Sequence, residues 1–410
     1  MKPLIILAAA LSLVASCDKT GQYGQDNNPR KEITLTTKQT EFVEVGNSFA
    51  FNFIDMVEAA SEKDYIISPL SMQFLLGMIL DGAKGQTAAE ISSVLGYGAD
   101  GVQDVNEYCL SMMSQLPGLD KATTLNIANA IIVDQGYALK KDYVSTVKKY
   151  YDAEVSNLNF ADRAGSAQKI NKWCSDHTNG MIPKILDETD PDMLAYLLNA
   201  MYFKSKWASP FKKASTVERE FTLNNGSKKM LPMMSQLSDF QYMEDKAFKA
   251  VRMNYGNAAY TMTVFLPAEG YSVADVCNYL KGRAWDDVLR EFGYYQVDTW
   301  LPRFETTFHI NLNDILSEMG MPSSFDGKVA DFTAMSDDAL CLSFVNQDAK
   351  IKVDEEGTEA AVISSAGMMK NTSVGGPEII KEFHAVRPFL YIISERSTSA
   401  ILFAGRYSGI

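Results

Sequence analysis

The side chains that could carry chemistry in this 410-residue chain are few and widely spaced. Acid–base catalysis near neutral pH draws first on histidine, and the chain has three, His177, His309 and His384. They stand too far apart for an H-E-x-x-H zinc site, and no G-x-S-x-G elbow presents a serine. Each lies in an ordinary periodic segment and is expected to be structural. Gly82-Ala83-Lys84-Gly85-Gln86-Thr87 lacks the G-x-x-x-x-G-K-[ST] spacing of a phosphate loop and reads as a turn between helices. Cys109, Cys174, Cys277 and Cys341 share no C-x-x-C spacing, so buried free thiols are expected rather than a metal site or disulfides. The chain reads as no enzyme, with no metal and no cofactor.

The unusual stretch is Asp354 to Pro388, which separates two apolar runs of strand character, Leu340 to Val353 and Pro388 to Arg406. Connections longer than about 12 to 15 residues are uncommon and usually functional. The stretch opens Glu355-Glu356-Gly357-Thr358-Glu359-Ala360-Ala361-Val362 and continues with small and β-branched residues. In a strand, alternate side chains take opposite faces. Glu359 would then face solvent, and Thr358, Ala360, Val362, Ser364, Ala366 and Met368 would share the other face, with no charge among them. A loop that can become a half-buried strand without burying a charge is a candidate conformational switch.

The elements around this stretch are those of a large globular body. Hydrophobic residues make up 46% of the chain, and the net charge of −13 argues against binding a nucleic-acid backbone. Leu4 to Ala15 is an apolar run too short for a permanent span, and Val14-Ala15-Ser16-Cys17 resembles a bacterial lipoprotein cleavage site. Residues 1–16 are therefore expected to be a signal peptide, 17–40 the lipidated Cys17 and a flexible tether, and 41–410 one domain. An ordinary secretory signal is the alternative. Either places the domain outside the cytoplasm, on the periplasmic side or at the cell surface. Apolar spacing predicts helices over Phe42–Ala60, Met72–Ile79, Ile91–Leu95, Asp142–Tyr151, Ser166–Thr178, Val273–Leu280 and Leu312–Met319. Ser71 is expected to cap the second and Thr87 the third. Strands are expected at Asp64–Ile67, Leu194–Lys204, Phe221–Leu223, Phe248–Met253, Tyr260–Leu266, Val297–Phe304, Leu342–Val353, Phe389–Ile393 and Ile401–Tyr407. Helices first and strands later indicate an α+β fold.

Several segments, in order, resemble the serpin family. They are Ile67-Ser68-Pro69-Leu70-Ser71-Met72, the Gly82–Thr87 turn, Asn126-Ile127-Ala128-Asn129-Ala130, Ile170-Asn171-Lys172-Trp173, Leu198–Lys204 with Trp207, Pro302-Arg303-Phe304, Glu355–Ala361, Phe383–Phe389 and Ile401–Arg406. The resemblance spans 41–410. It implies three β-sheets, eight or nine helices and an exposed reactive-centre loop, in a monomer that inhibits proteases as a suicide substrate. In that mechanism the cut loop inserts into the largest sheet as a new strand while still acylated to the protease.

Carried onto this sequence, Glu355, Glu356, Gly357, Thr358, Glu359, Ala360, Ala361 and Val362 form the hinge. Ser68, Ser71, Asn199, Trp207 and Gln347 occupy the shutter and breach where the sheet opens. Counting from the hinge puts the reactive bond at Asn371–Thr372. Lys370, the one Lys or Arg between Lys352 and Lys381, favours Lys370–Asn371 and a trypsin-like partner, while Met368 and Met369 would suit elastase-like or chymotrypsin-like enzymes. Gln347 departs from the histidine common in the family, though its amide can still donate and accept. Gly375-Gly376-Pro377 resembles an insertion beyond the cut. The alternatives are a non-inhibitory serpin acting as a binding protein and an anchored solute-binding lipoprotein.

Overall fold

The computed structural model describes residues 28–98, 101–358 and 379–410. In chain order come α1 (Thr37–Ala60), β1 (Tyr65–Ile67), α2 (Pro69–Gly82), α3 (Gly85–Leu95) and α4 (Val102–Gln115). Next are β2 (Thr123–Asp134), α5 (Lys141–Tyr151), β3 (Glu154–Leu158), α6 (Arg163–His177) and β4 (Ala195–Lys206). Strands then dominate, with β5 (Val217–Thr222), β6 (Lys228–Glu244), β7 (Phe248–Tyr255) and β8 (Tyr260–Pro267). They are followed by α7 (Val273–Lys281), α8 (Trp285–Arg290), β9 (Gly293–Pro302), β10 (Phe304–Asn311) and α9 (Asn313–Met319). Last are β11 (Asn346–Asp354), β12 (Gly357–Thr358), β13 (Lys381–His384), β14 (Phe389–Glu395) and β15 (Ile401–Tyr407).

One sheet has the order β10-β11-β12-β4-β2-β3. A second network runs β1-β15-β14-β8-β7-β6-β9-β13, with β5 on β6. It contains the two remaining sheets of the expected three, because β6 changes partners. Its start pairs with β5 and its middle with β9, while Gln241–Glu244 alone reach β7.

The helix α2 is apolar almost all round, so it must be interior, and apart from Asp81 its residues are buried against β4, β15 and neighbouring helices. Its cap is Ser68 rather than Ser71: the Ser68 hydroxyl accepts from Ser71 N at 3.3 Å. Pro69, whose φ is pre-set for a first helical turn, begins the helix earlier and frees the Ser71 hydroxyl for another partner. Thr87 is likewise no cap. It lies inside α3, fully buried, where its hydroxyl accepts from Asp331 N at 3.0 Å.

The expected strand Val297–Phe304 is two strands. It breaks at Arg303, whose N–H bonds Pro232 O at 2.9 Å as the chain crosses from β9 to β10 and thus from one sheet to the other. The strand expected from Leu342 begins only at Asn346, because Leu342 N is engaged by Ser324 O at 2.8 Å. In the loop before it Cys341 is exposed, a correction to the expected burial, whereas Cys109, Cys174 and Cys277 are buried. At the other end α1 starts at Thr37 with a Thr36–Gln39 capping box, Ile33 is buried, and Asn28 donates to Asp120 Oδ1 at 2.7 Å. The folded body thus reaches back past residue 41.

Candidate functional site

Strands β4 and β11 are parallel neighbours in space and, among the described residues, are joined through β12. Thr358 faces Val353 on one side and Ser205 on the other, and Gly357 faces Asp354 and Lys206. Among the described residues the ladder through β12 comprises these two positions. A cavity of about 490 Å³ lies between the strands, with Asn199 and Met201 on one wall, Gln347 and Ala349 on the other, and Ser68 and Ser71 of the α2 start among its lining. A smaller space lined by Phe203, Ile351 and Thr358 links it to the bridge.

The bridge can form because of Gly357. Its φ is +155°, and a Cβ there would collide with the Ser205 carbonyl and stand 2.7 Å from Lys206 Cα. Thr358 is buried, its hydroxyl 2.7 Å from that of Tyr255.

Above the bridge, Trp207 stacks on Tyr255 at 4.4 Å and donates from its indole Nε1 to Asp354 O at 2.9 Å. The Trp207 and Phe211 amides bond the carbonyls of Glu356 and Glu355. Glu355 is 2% exposed yet ion-paired: it accepts from Arg303 at 2.5 Å and from the Thr216 hydroxyl at 2.6 Å. Burial opposes the Glu355 charge, but the Arg303 and Thr216 hydrogen bonds outweigh it and hold the carboxyl below its ordinary value. Glu356 pairs outward with Lys213 at 2.7 Å.

At the floor, Gln347 bonds the Ser68 backbone in both directions. Its Oε1 accepts from Ser68 N at 3.1 Å and its Nε2 donates to Ser68 O at 3.0 Å. The Ser68 hydroxyl donates to Leu402 O at 2.7 Å. Asn199 does not touch Gln347 through these bonds. It accepts from the Ser71 hydroxyl and donates to Asn129 Oδ1 at 2.6 Å. These bonds form two groups, joined through the first turn of α2.

Residues 44–409 match the family model for Serpin (serine protease inhibitor). The chain belongs to the serpin family. Serpin B6 of Macaca fascicularis is 30% identical, over 89% of this chain and 98% of its own. A serpin-like protein of Thermococcus kodakarensis is 31% identical over 99% and 98%. Among solved structures, the thermophilic serpin tengpin in its native state is 29% identical with a TM-score of 0.82, covering 93% of this chain and 97% of tengpin. Thyroxine-binding globulin complexed with thyroxine, 24% identical with a TM-score of 0.80 over 90% and 99%, shares the fold.

In this serpin, Ser68, Ser71, Asn199, Gln347, Trp207 and Glu355 to Thr358 all border the gap or its upper rim. Glu359, Ala360, Ala361, Val362, Lys370, Asn371, Thr372 and Cys17 lie outside the described residues. The three histidines have structural partners. His177 bonds Trp173 O at 2.8 Å, His309 pairs with Asp348 at 2.8 Å, and His384 reaches Asp298 at 3.0 Å while stacking on Trp300. Sequence reasoning assigned no site role to Arg303, Thr216, Tyr255 or Asn129. Arg303 and Asn129 fall in quoted segments, but nothing local distinguishes a buried-acid partner or a cross-strand amide from other polar residues.

Proposed function

We propose that this serpin is a suicide-substrate inhibitor of extracellular serine proteases, with cysteine proteases as a secondary class. The observation that carries the reading is the bridge: the first hinge residues already pair on both sides at the head of a gap one strand wide. Continuing its register down the gap would set Ala360 between Phe203 and Ile351, Val362 between Met201 and Ala349, and Ser364 between Asn199 and Gln347. The inward side chains are then apolar beside apolar residues and hydroxylic beside the two amides.

In this mechanism the protease nucleophile attacks the Lys370 carbonyl. The Lys370–Asn371 bond breaks, Asn371 leaves as an amine that takes its proton from the protease, and the Lys370 carbonyl carbon stays bonded to the protease nucleophile. The freed hinge then adds as a strand before water can hydrolyse the ester or thioester. New strand hydrogen bonds contribute about 0.5 to 1.5 kcal/mol net each, against about 1 to 2 kcal/mol per residue of backbone entropy. Those nearly cancel, so burial of Val362, Met368 and the smaller inward side chains decides the sign. An anchor through lipid on Cys17 would hold the inhibitor, as a monomer, on a bacterial membrane facing the periplasm or the exterior.

Incubation with trypsin and with elastase, followed by denaturing electrophoresis, tests the proposal. A covalent complex is expected, with trypsin cutting after Lys370 and Lys370→Ala losing the trypsin complex. Cleaved product with no complex at any ratio would sink the inhibitor reading and leave a binding serpin.

A further inference from the structure

Asp81 lies near the C-terminal end of α2, facing α4 and α5. Its Oδ1 accepts from Asn106 Nδ2 at 2.8 Å, while its Oδ2 is buried with no hydrogen-bond partner. The titratable groups facing it are Cys109 from α4 and Tyr143 and Tyr151 from α5, each pushed up by burial and hence neutral. Among the described residues no lysine, arginine or histidine pairs with it.

The hydrogen bonds do not stop at Asn106. The Tyr151 hydroxyl donates to Asn106 Oδ1 at 2.7 Å, and the Tyr151 carbonyl accepts from Asn129 Nδ2 at 2.7 Å. Asn129 Oδ1 accepts from Asn199 Nδ2 at 2.6 Å, and Asn199 Oδ1 accepts from the Ser71 hydroxyl. The circuit leaves α2 at Asp81, passes through α4, α5, β2 and β4, and returns to α2 at Ser71. Tyr151 is held at both ends, so a shift of α5 against α2 is felt at Asn129 and then at Asn199, on the wall of the gap.

We propose that this circuit is a proton-sensitive latch on β4: with Asp81 neutral, α4 and α5 close on α2 and hold β4 beside the gap, and with Asp81 ionised the clamp loosens. Two effects set the direction. A carboxylate can only accept, so ionised Asp81 leaves Oδ2 charged, buried and unpartnered, whereas the neutral acid removes that buried charge and keeps the bond from Asn106. Burial also raises the Asp81 carboxyl to about 7. With the folded-state value above the ordinary one, the packing is firmest at acid pH and weakens as pH rises through about 7. Any consequence for loop insertion rests on the inhibitor reading; the latch itself does not.

Hydrogen–deuterium exchange of Ala195–Lys206 at pH 6 and pH 8, corrected for intrinsic rates, tests it. One proton bound with a value of about 7 predicts openings that hydrate Asp81 to be about tenfold more frequent at pH 8 than at pH 6. In the parent, β4 should follow that factor. Asp81→Asn should abolish the pH difference, and Asp81→Leu carries the same test if the amide variant does not fold. Asn129→Ala should uncouple β4 while exchange in α2 and α4 keeps its pH response. Equal β4 protection at the two pH values in the parent, persistence of the difference in the Asp81 variants, or an Asn129→Ala protein whose β4 still responds would each overturn the latch. No protease enters these measurements, so their failure leaves the inhibitor reading standing, and absence of a protease complex leaves the latch standing.

Discussion

Thr358→Arg is the sharpest perturbation of the proposed mechanism. Thr358 is 3% exposed, held between Ser205 and Val353, with its hydroxyl against Tyr255. The buried acid of that corner, Glu355, is already paired with Arg303. An arginine side chain entering here would bury a charge without a partner, at about 3 to 5 kcal/mol. The hinge would then leave the sheet in the uncut protein and re-enter slowly after cleavage. With each 1.4 kcal/mol worth about tenfold in rate, insertion should slow by about a hundredfold to several thousandfold. Deacylation is untouched, so the variant becomes a substrate. Titrating residual protease activity against added serpin measures the outcome: close to equimolar consumption in the parent, and cleavage with no trapped protease in Thr358→Arg. Thr358→Val removes only the hydroxyl and leaves Tyr255 unpaired, about 1 to 3 kcal/mol, so its effect should be intermediate. A Thr358→Arg protein that traps protease as efficiently as the parent would refute insertion through this gap.

Gly357→Ala should displace the bridge at a strain of about 1 to 3 kcal/mol, read as lost exchange protection at Thr358; unchanged protection would contradict the close approach to Ser205. Gln347→Ala strips both bonds from the Ser68 backbone and should cost about 2 to 4 kcal/mol in urea unfolding, whereas an undiminished midpoint would mean that solvent replaces the amide. Because the Glu355 carboxyl sits below its ordinary value in the folded state, its contribution is present above the ordinary carboxylate range and is lost as pH falls through the folded-state value. Acid opening of the upper rim, followed by Trp207 fluorescence, should therefore lose its steep limb in Glu355→Gln, and an identical acid transition in that variant would count against the Arg303 pairing.

Most of the strands and helices were legible because their signals are local. Phe248–Tyr255, Tyr260–Pro267, Phe389–Glu395 and Ile401–Tyr407 are short, apolar and β-branched or aromatic, and all are strands. The strand Lys228–Glu244 was not legible, since Pro232 argues against a strand and its changing partners blur any single alternation. In β2, Asn126 and Asn129 dilute the apolar pattern. In α4, Val105, Tyr108, Cys109 and Met112 do follow a helical spacing, and that helix was there to be read. The cap of α2 shows the limit of residue type as a guide: Ser68 and Ser71 both qualify by type, and the position of Pro69 and the reach of Ser71 to Asn199 separate them.

By itself the sequence determined the α+β class, the uncharged residue types along one face of the hinge and the glycine at its head, because each depends on residue type and spacing over a few positions. The tertiary structure alone decided that Gly357 and Thr358 bridge β4 and β11, that Glu355 is neutralised by Arg303, that Gln347 serves Ser68 while Asn199 serves Ser71, and that Asp81 is linked to the wall of the gap. Each of these joins residues distant in sequence. Partner choice at that range follows from which elements pack together to close the core, and no local propensity encodes it.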